Sequence, residues 1–279
     1  MFQSVTYEAQ GDFPAYLDLA RQIFHLPGAS TTDLSHRSPL YSIILGLFLM
    51  VFGEPQYLAA MMVVQYALIF AASLLVYKII HQLTGHTAAA FAAGIAGIAN
   101  LTTIFFGFMI LSETLAMFLF TLAVWLLLKY REEPHTGRIV VAGLVMGLLI
   151  LTRYNMLGLP FVVIALLVFA YLLSAKKLKR ARMLADIALF SVAITFILNI
   201  WAFRNYLTNG RYELIPKHHM GQRWAVPATI NPSDNVSEKY AVVHEIFLRT
   251  REKLLETERN RVYRKSSLLE YEIIKKIND

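Results

Sequence analysis

From residue 55 to about residue 206 the chain is built of long apolar runs separated by short charged or polar breaks. Residues 56–77, 87–112 and 154–175 contain no charged side chain, and residues 114–128 and 187–203 are shorter apolar runs of the same kind. A helix needs about 20 apolar residues to cross about 30 Å of hydrocarbon. With interfacial residues added, the pattern predicts six crossing helices, at about 57–79, 87–109, 112–129, 138–152, 157–175 and 184–203. The segment Pro39 to Phe52 is apolar too, but it is closed by Gly53-Glu54-Pro55. At about 14 residues it is too short to span and predicts an interfacial, juxtamembrane helix. The fold class expected is therefore an all-α polytopic membrane protein.

The flanks read differently. Residues 1–38 are polar and broken by Gly11, Pro14, Pro27 and Gly28. Residues 208–236 carry turn chemistry (Asn209-Gly210, Pro216, Pro227, Asn231-Pro232), and from Ser237 onward Tyr240, Val243, Phe247 and Leu254 recur at helical spacing. Three regions follow: 1–54, a first loop with the juxtamembrane helix; 55–207, the membrane domain; and 208–279, a partly helical tail.

Composition agrees with a membrane location. The chain is 57% hydrophobic and 16% charged, with a mean hydropathy of +0.51, whereas a soluble domain is nearer a quarter charged. The net charge of +7 gains its meaning from its distribution. Lys78, Lys129, Arg131, Arg138, Lys176, Lys177, Lys179, Arg180 and Arg182 fall in alternate breaks, against Arg153 alone in the others. Basic loops face the cytoplasm. Glu54, Glu113, Arg153 and Arg204 are then expected at the opposite, extracytoplasmic face, together with residues 1–38 and the tail. The absence of cysteine excludes disulfides, thiol catalysis and thiolate metal sites.

Four stretches at that face carry candidate chemistry. The first, Gly11-Asp12-Phe13-Pro14-Ala15-Tyr16, also reads as a plain surface helix with Asp12 as N-cap and Pro14 in its first turn. In the second, Arg37-Ser38-Pro39-Leu40-Tyr41, Arg37 and Tyr41 could simply anchor an interface. In the third, Ser112-Glu113, serine could cap a helix and the carboxylate complement its positive end. A carboxylate at the edge of hydrocarbon is nevertheless costly and points to function. The fourth pairs Leu151-Thr152-Arg153-Tyr154 with Trp201-Ala202-Phe203-Arg204-Asn205-Tyr206, each placing an arginine at the outward end of an apolar run. Snorkelling would account for that, but a guanidinium also binds phosphate through two parallel hydrogen bonds.

Taken in order, these stretches resemble the superfamily of multi-spanning glycosyltransferases that use lipid-phosphate sugars (GT-C type), among them protein O-mannosyltransferases and aminoarabinose transferases. The likeness runs from about residue 11 to 225. It consists of Gly-Asp-x-x-x-Tyr-x-x-x-Ala, Arg-x-Pro-x-Tyr before a short apolar helix ending Phe52-Gly53, Ser-Glu between spans, Leu-Thr-Arg, and Trp-x-x-Arg-Asn-Tyr with Gly210 and Gly221 beyond. The resemblance implies catalytic roles for Asp12 and Glu113. It implies substrate contacts for Arg37, Tyr41, Arg153, Arg204 and Asn205, with a divalent metal conceivable at Asp12 and Glu113. It also implies a polyprenyl-phosphate sugar donor, an acceptor at the extracytoplasmic face and a place in the bacterial inner membrane. The family has one span before the Asp loop and several more after the point where this chain stops, so the chain is expected to be a fragment. Two other classes share the span pattern: a transporter or flippase of lipid-linked saccharides, and an inactive membrane scaffold. A transporter would place acids at mid-membrane among helices broken by Gly and Pro.

Overall fold

The computed structural model describes residues 12–30, 37–173, 180–210 and 212, and all secondary structure among them is helical. The chain divides into two units, residues 1–221 and 222–279, and the described residues belong to the first. The expected tail helix and Gly221 lie outside the described residues.

The helices are α1 (Phe13–Phe24), α2 (Pro39–Phe52), α3 (Gln56–Thr84), α4 (Thr87–Ala99), α5 (Leu101–Phe108), α6 (Glu113–Glu132), α7 (Thr136–Thr152), α8 (Leu159–Leu173) and α9 (Arg180–Asn209), with a 3-10 turn at Tyr154–Gly158 ahead of α8. The expected interfacial segment is α2, starting at Pro39, where a missing N–H costs nothing. Each expected span is helical, but they are not equivalent. Helices α3, α6 and α9 are long and apolar enough to cross a bilayer, and α4 with α5 qualifies as a pair bent by 45°. The bend falls at Asn100, which leaves the helix and accepts the Thr102 N–H on its side chain.

Helices α7 and α8 are shorter. Helix α7 is largely enclosed by protein, with Val141 still facing outward. It packs chiefly against α6 and α9 and buries Ile139, Ala142, Met146, Leu149 and Ile150 almost completely. Gly143 and Gly147 let the α9 backbone approach. A Cβ on Gly143 would sit 2.6 Å from the Phe190 carbonyl oxygen, and one on Gly147 2.8 Å from Ile197 Cβ. Small residues four apart are a common solution in membranes, where close van der Waals contact must replace the hydrophobic drive between helices. Elsewhere large apolar side chains face outward, such as Val63, Phe91, Leu101, Phe161, Leu172 and Val192. Hydrocarbon accepts such a surface.

The two ends of the bundle differ in charge. At one end Lys78 lies over the Trp125 ring (5.4 Å to the centroid). There Arg138 donates to the carbonyls of Lys129 (3.0 Å) and Glu133 (2.9 Å), and Arg182 to that of Pro134 (2.7 Å). These contacts gather basic residues from three separate breaks at one end, as the charge pattern anticipates. Nearby, the buried Asp186 of α9 accepts hydrogen bonds from Tyr171 of α8 (2.6 Å) and from Tyr130 of α6. The carboxylate thereby ties three helices together.

Candidate active site

At the other end, residues far apart in sequence converge. Asp12 precedes α1, and its carbonyl accepts the Tyr16 N–H (3.1 Å) while Pro14 sits in the first turn. The expected side-chain cap does not form. The Asp12 carboxylate instead takes Arg37 Nη1 at 2.8 Å. Ser112 departs from expectation in the same way: it stands at the N-cap position of α6, yet its hydroxyl meets the Tyr16 hydroxyl at 3.1 Å. In each case a partner brought by the fold outcompetes the local amide. Glu113, the first residue of α6, pairs through Oε1 with Arg153 Nη1 at 2.5 Å. Arg153 is held in extended backbone between α7 and the 3-10 turn. The next amide, Tyr154 N–H, donates to Ser38 Oγ (3.2 Å) and so joins the Arg153 segment to the Arg37 segment.

Tyr16 is the centre of this arrangement. Its ring meets the Tyr41 ring edge-on at 5.3 Å, and the charges of Asp12, Glu113 and Arg153 all act on its hydroxyl. Burial is the main reason its pKa lies above the usual 10.0. Asp12 and Glu113 add to the rise, while the Ser112 hydrogen bond and Arg153 oppose it. Tyr16 is therefore a hydrogen-bonding hydroxyl at neutral pH, not a base. Tyr41 is 2% exposed, and its hydroxyl has no hydrogen-bond partner among the described residues. This corrects the reading of Arg37 and Tyr41 as interface anchors, since one is ion-paired and the other buried against Tyr16.

Arg204 and Asn205 lie near the end of α9. The Arg204 guanidinium stacks over Trp201 (5.0 Å) and donates to Asn205 Oδ1 (3.3 Å). Trp201 in turn lies against the Tyr154 hydroxyl. Arg204 and Asn205 thus join the cluster through Trp201 and Tyr154, without touching either acid. Among the described residues, no carboxylate reaches Arg204.

Side-chain exposure is 48% for Asp12, 26% for Arg37, 30% for Glu113 and 28% for Arg153. Ion pairs this accessible contribute about 0.2–1 kcal/mol each. They do little to hold the fold, and a charged ligand can displace them. A metal fits less well. Among the described residues no three His, Asp or Glu side chains gather, both acids already hold guanidiniums, and hard cations collect six or more oxygens.

Tyr16, Ser38, Tyr154 and Trp201 are the residues that sequence reasoning passed over as site components. All lie inside the quoted stretches, but their roles as connectors depend on which segments meet.

An all-helical membrane bundle with acids, arginines and tyrosines focused at the end away from its basic loops has the layout of a membrane glycosyltransferase. The family model of dolichyl-phosphate-mannose-protein mannosyltransferases matches residues 36–202, and the chain belongs to that family. The matched stretch includes Arg37, Tyr41, Glu113 and Arg153; Asp12, Arg204 and Asn205 lie outside it. No curated protein and no solved structure gives a significant match.

Proposed function

We propose that the protein transfers a sugar from a polyprenyl-phosphate-linked donor to an acceptor at the extracytoplasmic face of the bacterial inner membrane, by single displacement with inversion. The observation that carries the reading is the paired arrangement Asp12–Arg37 and Glu113–Arg153 around one buried tyrosine, at the end of the bundle remote from the basic loops. The side assigned to that end follows from the charge bias of the loops.

In this mechanism an acceptor hydroxyl attacks the anomeric carbon, and the bond from that carbon to the phosphate oxygen breaks. Its electron pair leaves with the lipid phosphate, and the hydroxyl proton passes to Asp12, the general base. Arg204, which has no acidic partner among the described residues, binds the donor phosphate, with Asn205 orienting its guanidinium. Arg153 and Arg37 stand behind it. Protonation of Asp12 frees Arg37 to meet the second negative charge that develops on the departing phosphate. Glu113 positions the acceptor, and Tyr41, packed edge-on against Tyr16, backs the site from the protein side.

The test is incubation of membranes containing the full-length protein with labelled polyprenyl-phosphate sugars, followed by identification of what becomes labelled. Label appearing in a protein, lipid or polysaccharide supports the reading. No transfer from any such donor, or flipping of the donor without transfer, rejects it. Accessibility labelling that put Asp12 and Arg204 on opposite faces of the bilayer would reject it as well.

A further inference from the structure

One polar side chain inside the bundle belongs to no part of that mechanism. Gln65 lies on α3, nine residues from its start, which at 1.5 Å per residue is about 14 Å along the helix. It is 1% exposed and interrupts an otherwise apolar run. An amide at that depth is costly unless it is hydrogen-bonded, and here the nitrogen is used while Oε1 has no partner among the described residues. Its Nε2 donates to the carbonyls of Met109 (2.7 Å) and Phe106 (3.2 Å), with Thr114 Oγ1 at 3.5 Å.

The Phe106 carbonyl lies in the last turn of α5 and the Met109 carbonyl just past its end. Helix α5 ends at Phe108, so its last carbonyls have no helical N–H to meet. In apolar surroundings no water makes up the loss. Thr114 Oγ1 also donates to the Phe106 carbonyl (3.2 Å), and Met109 O accepts from Leu111 N–H (2.9 Å). Gln65, Phe106 O and Thr114 therefore form a node at the root of the 109–112 link, whose far end is Ser112-Glu113. The amide has one orientation here, because its oxygen cannot face two carbonyl oxygens. The neighbouring residue contributes to the same anchoring: Tyr66 meets Phe108 edge-on at 5.6 Å.

We propose that Gln65 is a positioning residue for the transfer reaction: by holding the Phe106 and Met109 carbonyls it fixes the link that sets Glu113 opposite Arg153. This rests on the function proposed above for Glu113. A misplacement of about 1 Å can cost a factor on the order of 100 in rate, and Gln65 touches neither substrate nor either acid.

The test uses Gln65→Met in the full-length protein, which keeps volume and removes both N–H donors. The expected result is a fall in turnover on the order of 10- to 100-fold. In a Glu113→Gln background the same change should add less than about twofold, because the two residues act through one element. A structural readout runs beside it. The chain has no cysteine, so a Leu111→Cys reporter in permeabilised membranes should react several-fold faster with a water-soluble maleimide when Gln65 is changed. A Thr136→Cys control should not respond. If Gln65→Met does not insert, Gln65→Glu replaces it, since a carboxyl offers at most one proton to two carbonyls and should show the same defects. Unchanged turnover with unchanged labelling overturns the proposal, as does a full multiplicative loss in the Glu113→Gln background. If Glu113→Gln itself costs nothing, the role given to Glu113 fails. The reporter at position 111 then decides alone whether Gln65 holds the link.

Discussion

Replacing Asp12 by asparagine separates catalysis from stability more sharply than any other single change at this site. The substitution keeps shape and hydrogen-bonding capacity and removes the charge that Arg37 holds at 2.8 Å. With side-chain exposures of 48% and 26%, the pair contributes about 0.2–1 kcal/mol to folding. The variant should therefore insert and melt almost like the parent. A general base supplies about 10²- to 10⁴-fold in rate, which is about 3–5 kcal/mol of barrier at 1.36 kcal/mol per decade. Turnover should then fall at least about a hundredfold for a stability loss below about 1 kcal/mol. Donor affinity should move the other way. Arg37 loses its anionic partner and becomes available to phosphate, so the donor KM should stay level or fall. The assay is transfer of label from the lipid-linked donor in membranes, normalised to inserted protein, with thermal unfolding of the purified variant alongside. Turnover within about threefold of the parent, or a loss of turnover matched by a loss of folded protein, would remove Asp12 from the mechanism.

Three further outcomes are expected. Arg204→Ala should raise the donor KM by about tenfold or more, the worth of one charge-assisted hydrogen bond, with a smaller effect on turnover; unchanged donor affinity would rule out its phosphate role. Gly143→Val places carbon where the nearest backbone oxygen is 2.6 Å away and should destabilise the α7–α9 contact by at least about 1–3 kcal/mol, seen as a lower melting temperature in detergent. A neutral result there would mean that α9 can move off α7 freely. Asp186→Ala strips Tyr130 and Tyr171 of their shared acceptor and should cost about 1–3 kcal/mol without altering donor KM; a selective change in donor affinity would show that this end of the bundle takes part in binding.

The helices were legible because hydrocarbon imposes a length and a composition that can be read residue by residue. Helix α2 begins at Pro39 and ends at Phe52, as the apolar segment indicates. Less legible were the features set by partners. The break at Asn100 follows from an amide that caps the next turn by accepting from Thr102, a short polar signal inside a run of small residues. That α7 is enclosed chiefly by protein is hinted at only by the Gly143–Gly147 spacing. Asp12 and Ser112 both sit where a local cap is favoured, and both turn away because Arg37 and Tyr16 arrive from elsewhere. Charge segregation was visible in the sequence, whereas the identity of each ion pair needed the fold.

Those pairs bear on how the site, in the mechanism proposed above, would serve both donor and product. Arg21 and Glu54, bonded at 2.6 Å, cancel each other, as do Asp12 with Arg37 and Glu113 with Arg153. Asp18, also on α1, is bonded by Ser30, and among the described arginines around the site Arg204 is the guanidinium without a carboxylate, a local positive charge. A lipid-phosphate sugar is a phosphodiester and carries a single negative charge, so the resting site matches the donor. After transfer the lipid leaves as a phosphate monoester with close to two negative charges, while the acceptor proton resides on Asp12. Neutralising Asp12 unmasks Arg37, and the site then offers two positive charges to a ligand that has just gained its second. On that proposal the same proton transfer that activates the nucleophile adjusts the field to the leaving group. Returning that proton to water restores the Asp12–Arg37 pair, which competes for Arg37 and helps expel the spent carrier. An accessible, weak ion pair suits this cycle better than a buried one, because it must open and close at every turnover.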